Sequence, residues 1–184
     1  MQTEMEKHNV LRLSNQESNQ LTRECLETAL IRLLADKELE KISITELVRL
    51  AGVSRTAFYS NYSCKEDILS SWMSQVGDEF IDLIWPYVLK NDLPGMFLQL
   101  FQKIWDDHHL VDILVKAGLT HSLSAALEAS ILRKDPPRDR KKQYTITGYC
   151  GMLNNILMEW YRSAMKESPE EMSEICFTLF LPRQ

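Results

Sequence analysis

The sequence predicts an all-α protein in which a small N-terminal domain of three helices is joined by one long helix to a larger helical domain. Apolar residues recur at every third or fourth position through long stretches of the 184 residues, which is the spacing of amphipathic helices. Several stretches begin with a serine and carry a glutamate three residues later, a typical helix start. We expect a loose tail over residues 1–18, the small domain over 19–64 and the larger one over 65–184.

Composition and charge restrict the class of protein. A formal net charge of −5 argues against a protein that coats nucleic acid without sequence preference. The four cysteines are widely separated and form no CxxC pair, which predicts free thiols and neither a zinc site nor a disulfide framework. No signal-peptide pattern begins the chain, and no apolar stretch has the roughly eighteen residues of a membrane span. We therefore expect a cytoplasmic protein without membrane contact.

The segment Lys41–Lys65 predicts two short helices joined by a tight turn, following a first helix over residues 19–37. Ser43 and Glu46 have the spacing of a capping box. Gly52 allows the left-handed conformation in which a helix ends and the chain reverses. The segment holds four basic residues and one acidic residue, so its charge is locally positive in an acidic chain. This pattern is typical of a helix-turn-helix.

The second short helix begins after Ser54, a favourable N-cap residue, and presents a polar outer face. Ala57 and Phe58 fit the inward positions, and one alternative places Tyr59 at the edge of the core. The outward side chains carry groups that can hydrogen-bond to base edges and phosphates. They are Arg55, Thr56, Tyr59, Ser60 and Asn61.

Three consecutive motifs, ISITELVRLAGVS, RTAFYSNY and SCKEDIL, are the most specific signal in the chain. They resemble the N-terminal domain of TetR-family transcriptional regulators, which implies a bacterial, homodimeric protein that binds a double-stranded DNA operator. Thr56–Ala57 stands where the family often has Gly-Thr, and Ser60–Tyr62 where it often has His-His-Phe, which predicts a different operator sequence. Thr45, Tyr59 and Lys65 resemble the family's phosphate anchors. The full predicted DNA-binding set is Ser43, Thr45, Ser54, Arg55, Thr56, Tyr59, Ser60, Asn61 and Lys65.

A long helix follows the recognition helix and connects the two predicted domains. Ser63 and Glu66 have capping-box spacing, and an apolar stripe continues to Pro86. Because this helix starts directly after the recognition helix, tilting it would move the DNA-contacting surface. Further helices are expected over about 92–109, 110–117, 121–132 and 140–166, with the last beginning after Ser168.

The last two helices are the predicted dimer interface. Two symmetry-related recognition helices require a self-complementary dimer, and a long helix with an antiparallel neighbour can form a four-helix bundle with its symmetry mate. In the resembled family the C-terminal helices do this, and GYCGMLNNILMEWYRSAMKESPEEM resembles the branch that includes dihydroxyacetone-kinase operon regulators. Gly148 and Gly151 suit either close helix approach at this interface or a local kink. The expected interface residues are Leu153, Leu157, Tyr161, Ile175 and Leu179.

Aromatic and methionine side chains at helical spacing in the larger domain have two interpretations. They either line a pocket for a small-molecule effector, as the resemblance implies, or they form ordinary core. The candidate pocket residues are Phe97, Phe101, Trp105, Tyr149, Met152, Leu153 and Trp160.

The predicted function is a ligand-responsive transcriptional repressor that an unknown small-molecule effector releases from a near-palindromic operator. Two alternatives stay open. One is a TetR-like co-activator that works with a partner protein or small ligand; the other is a thiol-based redox switch at Cys64, whose pKa a helix N-terminus would lower. Asp106, His109 and His121 lack the paired spacing of a metal site. The chain contains no phosphate loop, G-x-S-x-G or H-E-x-x-H motif, so no catalytic residue, metal or cofactor is expected.

Overall fold

A computed structural model describes residues 2–180, with side chains from residue 17 onward. These residues form nine α-helices, one short 3-10 helix and no strand, which confirms the all-α prediction. The chain divides into two compact units, Met1–Trp72 and Met73–Gln184. The first unit contains α1 (Gln2–Leu34), the 3-10 helix (Leu39–Lys41), α2 (Ile44–Ala51), α3 (Arg55–Asn61) and the start of α4 (Lys65–Leu89).

Helix α1 is longer than the sequence pattern predicted. It begins at Gln2, whereas a loose tail was expected over residues 1–18, so that expectation is corrected from residue 2 onward. Residues 2–18 contain neither glycine nor proline, and so nothing among them ends a helix. The first helix of the unit therefore extends well upstream of its apolar stripe.

The core of the first unit lies between α1 and the two short helices. Leu26, Leu30 and Leu34 recur every four residues along α1, and each is at most 1% exposed. Leu47 of α2 and Phe58 of α3 are fully buried in the same core. Because α1 packs against both short helices, their opposite faces stay exposed.

The turn between α2 and α3 has the predicted geometry. Gly52 has a φ of 69°, the left-handed conformation that glycine adopts without steric cost. The Val53 N–H donates to the Val48 carbonyl over 3.1 Å, the six-to-one bond of a Schellman motif. Ser54 caps the next helix, since its Oγ accepts the Ala57 N–H over 3.0 Å. Residues 52–54 therefore join the two helices in a short turn, with backbone groups at both facing ends satisfied.

The start and end of α4 differ from the prediction. Asp67, not Glu66, caps the helix, because its carboxylate accepts the N–H groups of Ser63 over 2.9 Å and Cys64 over 3.2 Å. These backbone hydrogen bonds lower the pKa of Asp67. At its other end α4 continues past Pro86, where it was expected to stop, and reaches Leu89.

The second unit contains the remainder of α4 and five further helices. The five helices are α5 (Leu93–Asp106), α6 (His108–Lys116), α7 (Thr120–Lys134), α8 (Arg140–Arg162) and α9 (Pro169–Phe180). The closest helix packing in this unit is between α5 and α9 and between α7 and α8. Phe97 of α5 meets Phe180 with ring centroids 5.1 Å apart, and Phe101 meets Trp160 edge-on at 5.3 Å.

Helix α8 ends four residues before the predicted boundary at residue 166. Ala164 and Met165 have φ values of 61° and 52°, and the Met165 N–H donates to the Trp160 carbonyl over 2.9 Å. This six-to-one bond closes the helix without a glycine. The predicted capping box of α9 is confirmed, because the Ser168 N–H donates to Glu171 over 2.7 Å and the Glu171 N–H donates to Ser168 Oγ over 3.3 Å.

No single helix in residues 2–180 has both the length and the apolar composition of a membrane span. Helices α6 and α7, which meet at a bend of 119°, reach that length and composition only as a pair.

Candidate nucleic-acid interface and ligand cavity

One face of α3 carries most of the predicted DNA-binding side chains. Arg55, Thr56, Tyr59 and Ser60 are all exposed, and their spacing places them on the same side of the helix. Tyr59 is 56% exposed, and its ring meets Phe58 edge-on at 5.0 Å, so Phe58 and not Tyr59 occupies the core position. The result is a polar, solvent-facing surface on a helix that α1 supports from the opposite side.

Helix α2 adds exposed residues beside this face. Ser43 caps α2, since its Oγ accepts the Glu46 N–H over 3.2 Å, and Thr45 is exposed in the first turn. The reciprocal half of the predicted capping box is missing: the Glu46 carboxylate instead pairs with Lys37 Nζ at 2.5 Å. Arg49 was not among the predicted contacts, yet it is exposed one helical turn after Thr45. That four-residue spacing was the signal that could have identified it.

Positive charge at this surface is concentrated on two arginines. Arg49 and Arg55 are exposed and form no ion pair within the described part of the chain. Lys41, by contrast, pairs with Glu38 over 2.9 Å, and the pKa of Lys41 is raised mainly by that hydrogen bond. The two arginines are therefore the cations best placed to neutralise phosphate groups.

Asn61 does not project from α3 as the sequence pattern predicted. Its Nδ2 donates to the Ala57 carbonyl over 2.9 Å, and its Oδ1 accepts from Arg23 Nε over 3.1 Å. Both ends of the amide are engaged, and the side chain is half-buried beside α1. Asn61 thus holds the end of α3 against α1, because it is the last residue of that helix and turns toward its neighbour.

Lys65 also differs from its predicted role as a phosphate anchor. Its ammonium group donates to the backbone carbonyls of Leu39 over 2.6 Å, Glu40 over 3.2 Å and Ile42 over 2.8 Å. A lysine ammonium has three N–H donors, so this loop occupies all of them. Through these hydrogen bonds Lys65 links the start of α4 to the loop before α2.

The arrangement of these helices is similar to that of a solved structure described as a TetR transcriptional regulator from Streptococcus agalactiae 2603V. The TM-score is 0.62 and the sequence identity 18%, over 93% of this chain and 99% of that chain. The chain has the fold of this TetR regulator. No family model matches the sequence. No curated protein matches it either. At this identity the likeness to the TetR regulator concerns the fold.

The second unit encloses a cavity of about 100 Å³ between α4, α5, α6, α7 and α8. Of the seven predicted pocket residues, only Leu153 and Trp160 line it. Most of its wall is aliphatic, so a prediction based on aromatic and methionine side chains does not include these residues. Representative wall residues are Ile84 of α4, Leu100 of α5, Leu114 of α6 and Leu127 of α7.

The other predicted pocket residues occupy different environments. Phe97 and Phe101 are buried core residues that contact other aromatic rings. Trp105 and Tyr149 are exposed, and they contact Trp160 and Phe180, respectively. Met152 is half-buried on α8 outside the cavity. Helical spacing identifies an inward face but does not tell whether that face meets a cavity or another side chain.

The predicted dimer residues fall into two groups. Leu153, Leu157 and Tyr161 line the cavity inside the chain, and the Tyr161 hydroxyl donates to Asp112 over 2.6 Å. Ile175 and Leu179 of α9 are 44% and 54% exposed. The first three residues therefore point away from the exposed side of α8, which the sequence pattern had not distinguished from the inner side.

Gly148 and Gly151 lie on the exposed side of α8. The helix continues unbroken through both positions, so neither produces a break at that point. A Cβ atom added at either glycine would have no heavy atom within 4 Å. Nothing within the described residues therefore requires a glycine at these two sites.

The pKa of the Cys64 thiol is raised, which is opposite to the shift that a redox switch requires. The strongest influence on the pKa of Cys64 is a hydrogen bond with the Asp67 backbone, and this hydrogen bond lowers the pKa. Desolvation and the neighbouring Glu66 and Asp67 carboxylates together outweigh that hydrogen bond. Burial raises the pKa of Cys150 and of Cys176 to about 11. These three thiols are therefore weakly ionised at neutral pH, which argues against thiol-based sensing.

Proposed function

We propose that this chain is a homodimeric, cytoplasmic transcriptional repressor that binds a near-palindromic DNA operator through α3. The observation that carries the proposal is the exposed polar face of Arg55, Thr56, Tyr59 and Ser60 on the second helix of a helix-turn-helix. A helix with this kind of face enters the major groove in helix-turn-helix proteins. The fold shared with a TetR transcriptional regulator supports the same function.

The proposed contacts divide into base and phosphate contacts. Arg55 and Thr56 stand at the start of α3, where recognition helices approach base edges. Arg49, Thr45 and Tyr59 flank this start and suit the phosphates on either side. Asn61 and Lys65, whose polar groups are engaged within the unit, position the surface and make no direct contact with DNA. Other residues proposed to contact DNA or to shape the surface are Ser43, Ser54 and Ser60.

The proposed dimer interface is the exposed side of α8 and α9. Gly148 and Gly151 would let the two copies of α8 approach closely, because a glycine leaves the helix backbone uncovered. Ile175 and Leu179 offer exposed apolar surface on the neighbouring helix. This interface replaces the one predicted through Leu153, Leu157 and Tyr161, and it keeps the antiparallel pair of helices that a four-helix bundle needs.

The proposed effector site is the cavity of the second unit. Phe80, Ile81 and Ile84 of α4 form part of its wall, and the same helix continues upstream into the first unit. A ligand that binds more tightly to one orientation of α4 would shift the population toward that orientation. In the dimer this shift would change the separation of the two α3 helices and so release the operator.

The DNA-binding proposal is tested by gel shift with DNA from the region flanking the gene, and with DNA selected from a random pool. Arg55→Ala should weaken binding about ten- to hundred-fold, whereas Arg32→Ala, which removes an exposed arginine of α1, should leave it unchanged. If neither DNA sample shifts with the unmodified protein, the regulator proposal is wrong. Transcription from the protected promoter is then measured with and without the protein. Lower transcription with the protein indicates a repressor, and higher transcription indicates a co-activator.

The dimer proposal is tested by sedimentation equilibrium. Gly148→Leu combined with Gly151→Leu should weaken self-association about 100-fold, because the new side chains would prevent close approach of the helices. Ala125→Leu, an exposed position on α7, serves as the matched control. Unchanged self-association of the double variant would place the dimer interface elsewhere.

A further inference from the structure

The cavity of the second unit has a definite size. Its volume of about 100 Å³ is comparable to the roughly 150 Å³ of an apolar protein cavity that binds benzene. Ligand sites for drug-sized molecules are larger, about 300–1,000 Å³. The enclosed space therefore suits a molecule built on one ring or a short branched chain.

The charges around the cavity exclude most ionic ligands. Its wall contains no lysine, arginine or histidine, so an anion would find no counter-charge there. The only acidic side chain in the wall is Asp107, and Lys103 Nζ already pairs with its carboxylate at 2.6 Å. Tyr161 and Cys150 both have raised pKa values and stay neutral at neutral pH. The interior is thus suited to an uncharged molecule.

Three polar side chains in the wall, those of Thr120, Ser124 and Asn154, form no hydrogen bond within the described residues. Asn154 is the one that carries an amide, which has more hydrogen-bonding groups than a hydroxyl. Asn154 is half-buried on α8, and its amide has no hydrogen-bond partner among the described residues. The Tyr161 hydroxyl, in contrast, is committed to Asp112 at 2.6 Å. An amide can both donate and accept, so a hydroxyl or carbonyl group on a ligand would satisfy it. Leu153 and Leu157 flank Asn154 along the helix and are apolar wall residues.

We infer that the cavity binds a small, uncharged, ring-sized apolar molecule that carries one hydroxyl or carbonyl group, and that Asn154 hydrogen-bonds to that group. This inference rests on the proposed function, in which the cavity is the effector site. The apolar wall provides the larger part of the affinity, since burying the ring removes its surface from water. Asn154 provides the selectivity for one polar group.

Four probe compounds of similar size test the ligand class: benzyl alcohol, toluene, benzoate and benzylammonium. Binding is measured by ligand-observed NMR on the full chain at neutral pH without DNA. Benzyl alcohol should bind with a Kd of roughly 1 mM or tighter, and about three- to ten-fold more tightly than toluene. Neither ion should bind measurably. Equal binding of toluene and benzyl alcohol, tighter binding of an ion, or no binding of any probe would overturn the inference.

Two variants locate the binding within the cavity. Asn154→Leu should abolish the preference for benzyl alcohol over toluene while toluene still binds. Gln143→Met, which removes an exposed amide earlier on α8, should keep the preference. Leu127→Trp should fill the cavity and weaken both neutral probes at least tenfold, with thermal unfolding used to confirm that the variant folds. A preference that survives in Asn154→Leu would contradict the role assigned to Asn154.

The DNA experiment distinguishes failure of this inference from failure of the proposed function. Probe binding is measured without DNA, so a protein that binds benzyl alcohol but shifts no DNA would overturn the regulator proposal alone. A protein that shifts DNA but binds none of the probes would overturn the ligand class alone.

Discussion

The hydroxyl of Tyr62 donates a 3.0 Å hydrogen bond to the carboxylate of Glu27, 35 residues earlier in the chain. Glu27 is only 6% exposed, and the same carboxylate oxygen accepts the Ser71 hydroxyl over 3.2 Å. Tyr62 directly follows α3, while Ser71 lies on α4, so one buried carboxylate of α1 joins both helices. The pKa of Tyr62 is raised, mainly by desolvation. This network fixes the end of the proposed recognition helix.

Tyr62→Phe should lower the free energy of unfolding by about 1–3 kcal/mol, because it leaves the buried Glu27 carboxylate without one of its donors. Urea denaturation of the full chain measures the loss. Tyr59→Phe removes a hydroxyl from the exposed tyrosine of α3 and should change the unfolding free energy by less than about 0.5 kcal/mol. Equal effects of the two substitutions would show that the Glu27 network contributes little.

Lys65→Met tests whether this residue stabilises the unit or contacts phosphate. Loss of three hydrogen bonds to the loop before α2 should lower the free energy of unfolding by about 1–3 kcal/mol. The slope of log affinity for DNA against log salt concentration should stay that of the unmodified protein. A phosphate contact would instead reduce the slope by about 1, as expected for an exposed arginine at the interface. A reduced slope with unchanged stability would therefore restore the original prediction for Lys65.

Gly77→Ala tests the close packing of α4 against α7 in the second unit. A Cβ atom at Gly77 would lie 2.9 Å from Ser130 Oγ and 3.0 Å from the Ala126 carbonyl oxygen. We expect a loss of about 1–3 kcal/mol in the free energy of unfolding, since a helix backbone cannot move aside cheaply. Ser70→Ala, on the exposed side of α4, should be neutral or slightly stabilising. Tolerance of alanine at position 77 in thermal unfolding would mean that α7 can shift freely.

Ala164→Gly should stabilise the chain by about 0.5–1 kcal/mol. Ala164 has a φ of 61°, a conformation that costs non-glycine residues about 1–2 kcal/mol. Ala125→Gly, in the middle of α7, should destabilise by a similar amount because glycine is unfavourable inside a helix. Opposite signs for the same Ala-to-Gly change, measured by thermal unfolding, would confirm the conformational explanation. A destabilising effect at both positions would contradict it.

Local sequence determined the parts of this protein whose interactions join near neighbours. The N-caps at Ser43, Ser54 and Ser168 could be predicted because each accepts an N–H only three residues ahead. The turn at Gly52 could also be predicted, because it depends only on the backbone conformation of that one residue. The exposed face of α3 followed from helical spacing. These features account for the helix-turn-helix and most of the helix boundaries.

Tertiary structure alone decided what the longer-range side chains contact. Lys65 bonds to residues 23–26 positions away, and Asn61 bonds to Arg23, so neither could be assigned from local spacing. Likewise, Leu153 and Leu157 lie on an apolar stripe that fits a dimer seam or a cavity wall equally well. Helical periodicity specifies which side of a helix is buried. Which neighbour covers that side, and whether a cavity lies between them, depends on packing among helices far apart in sequence.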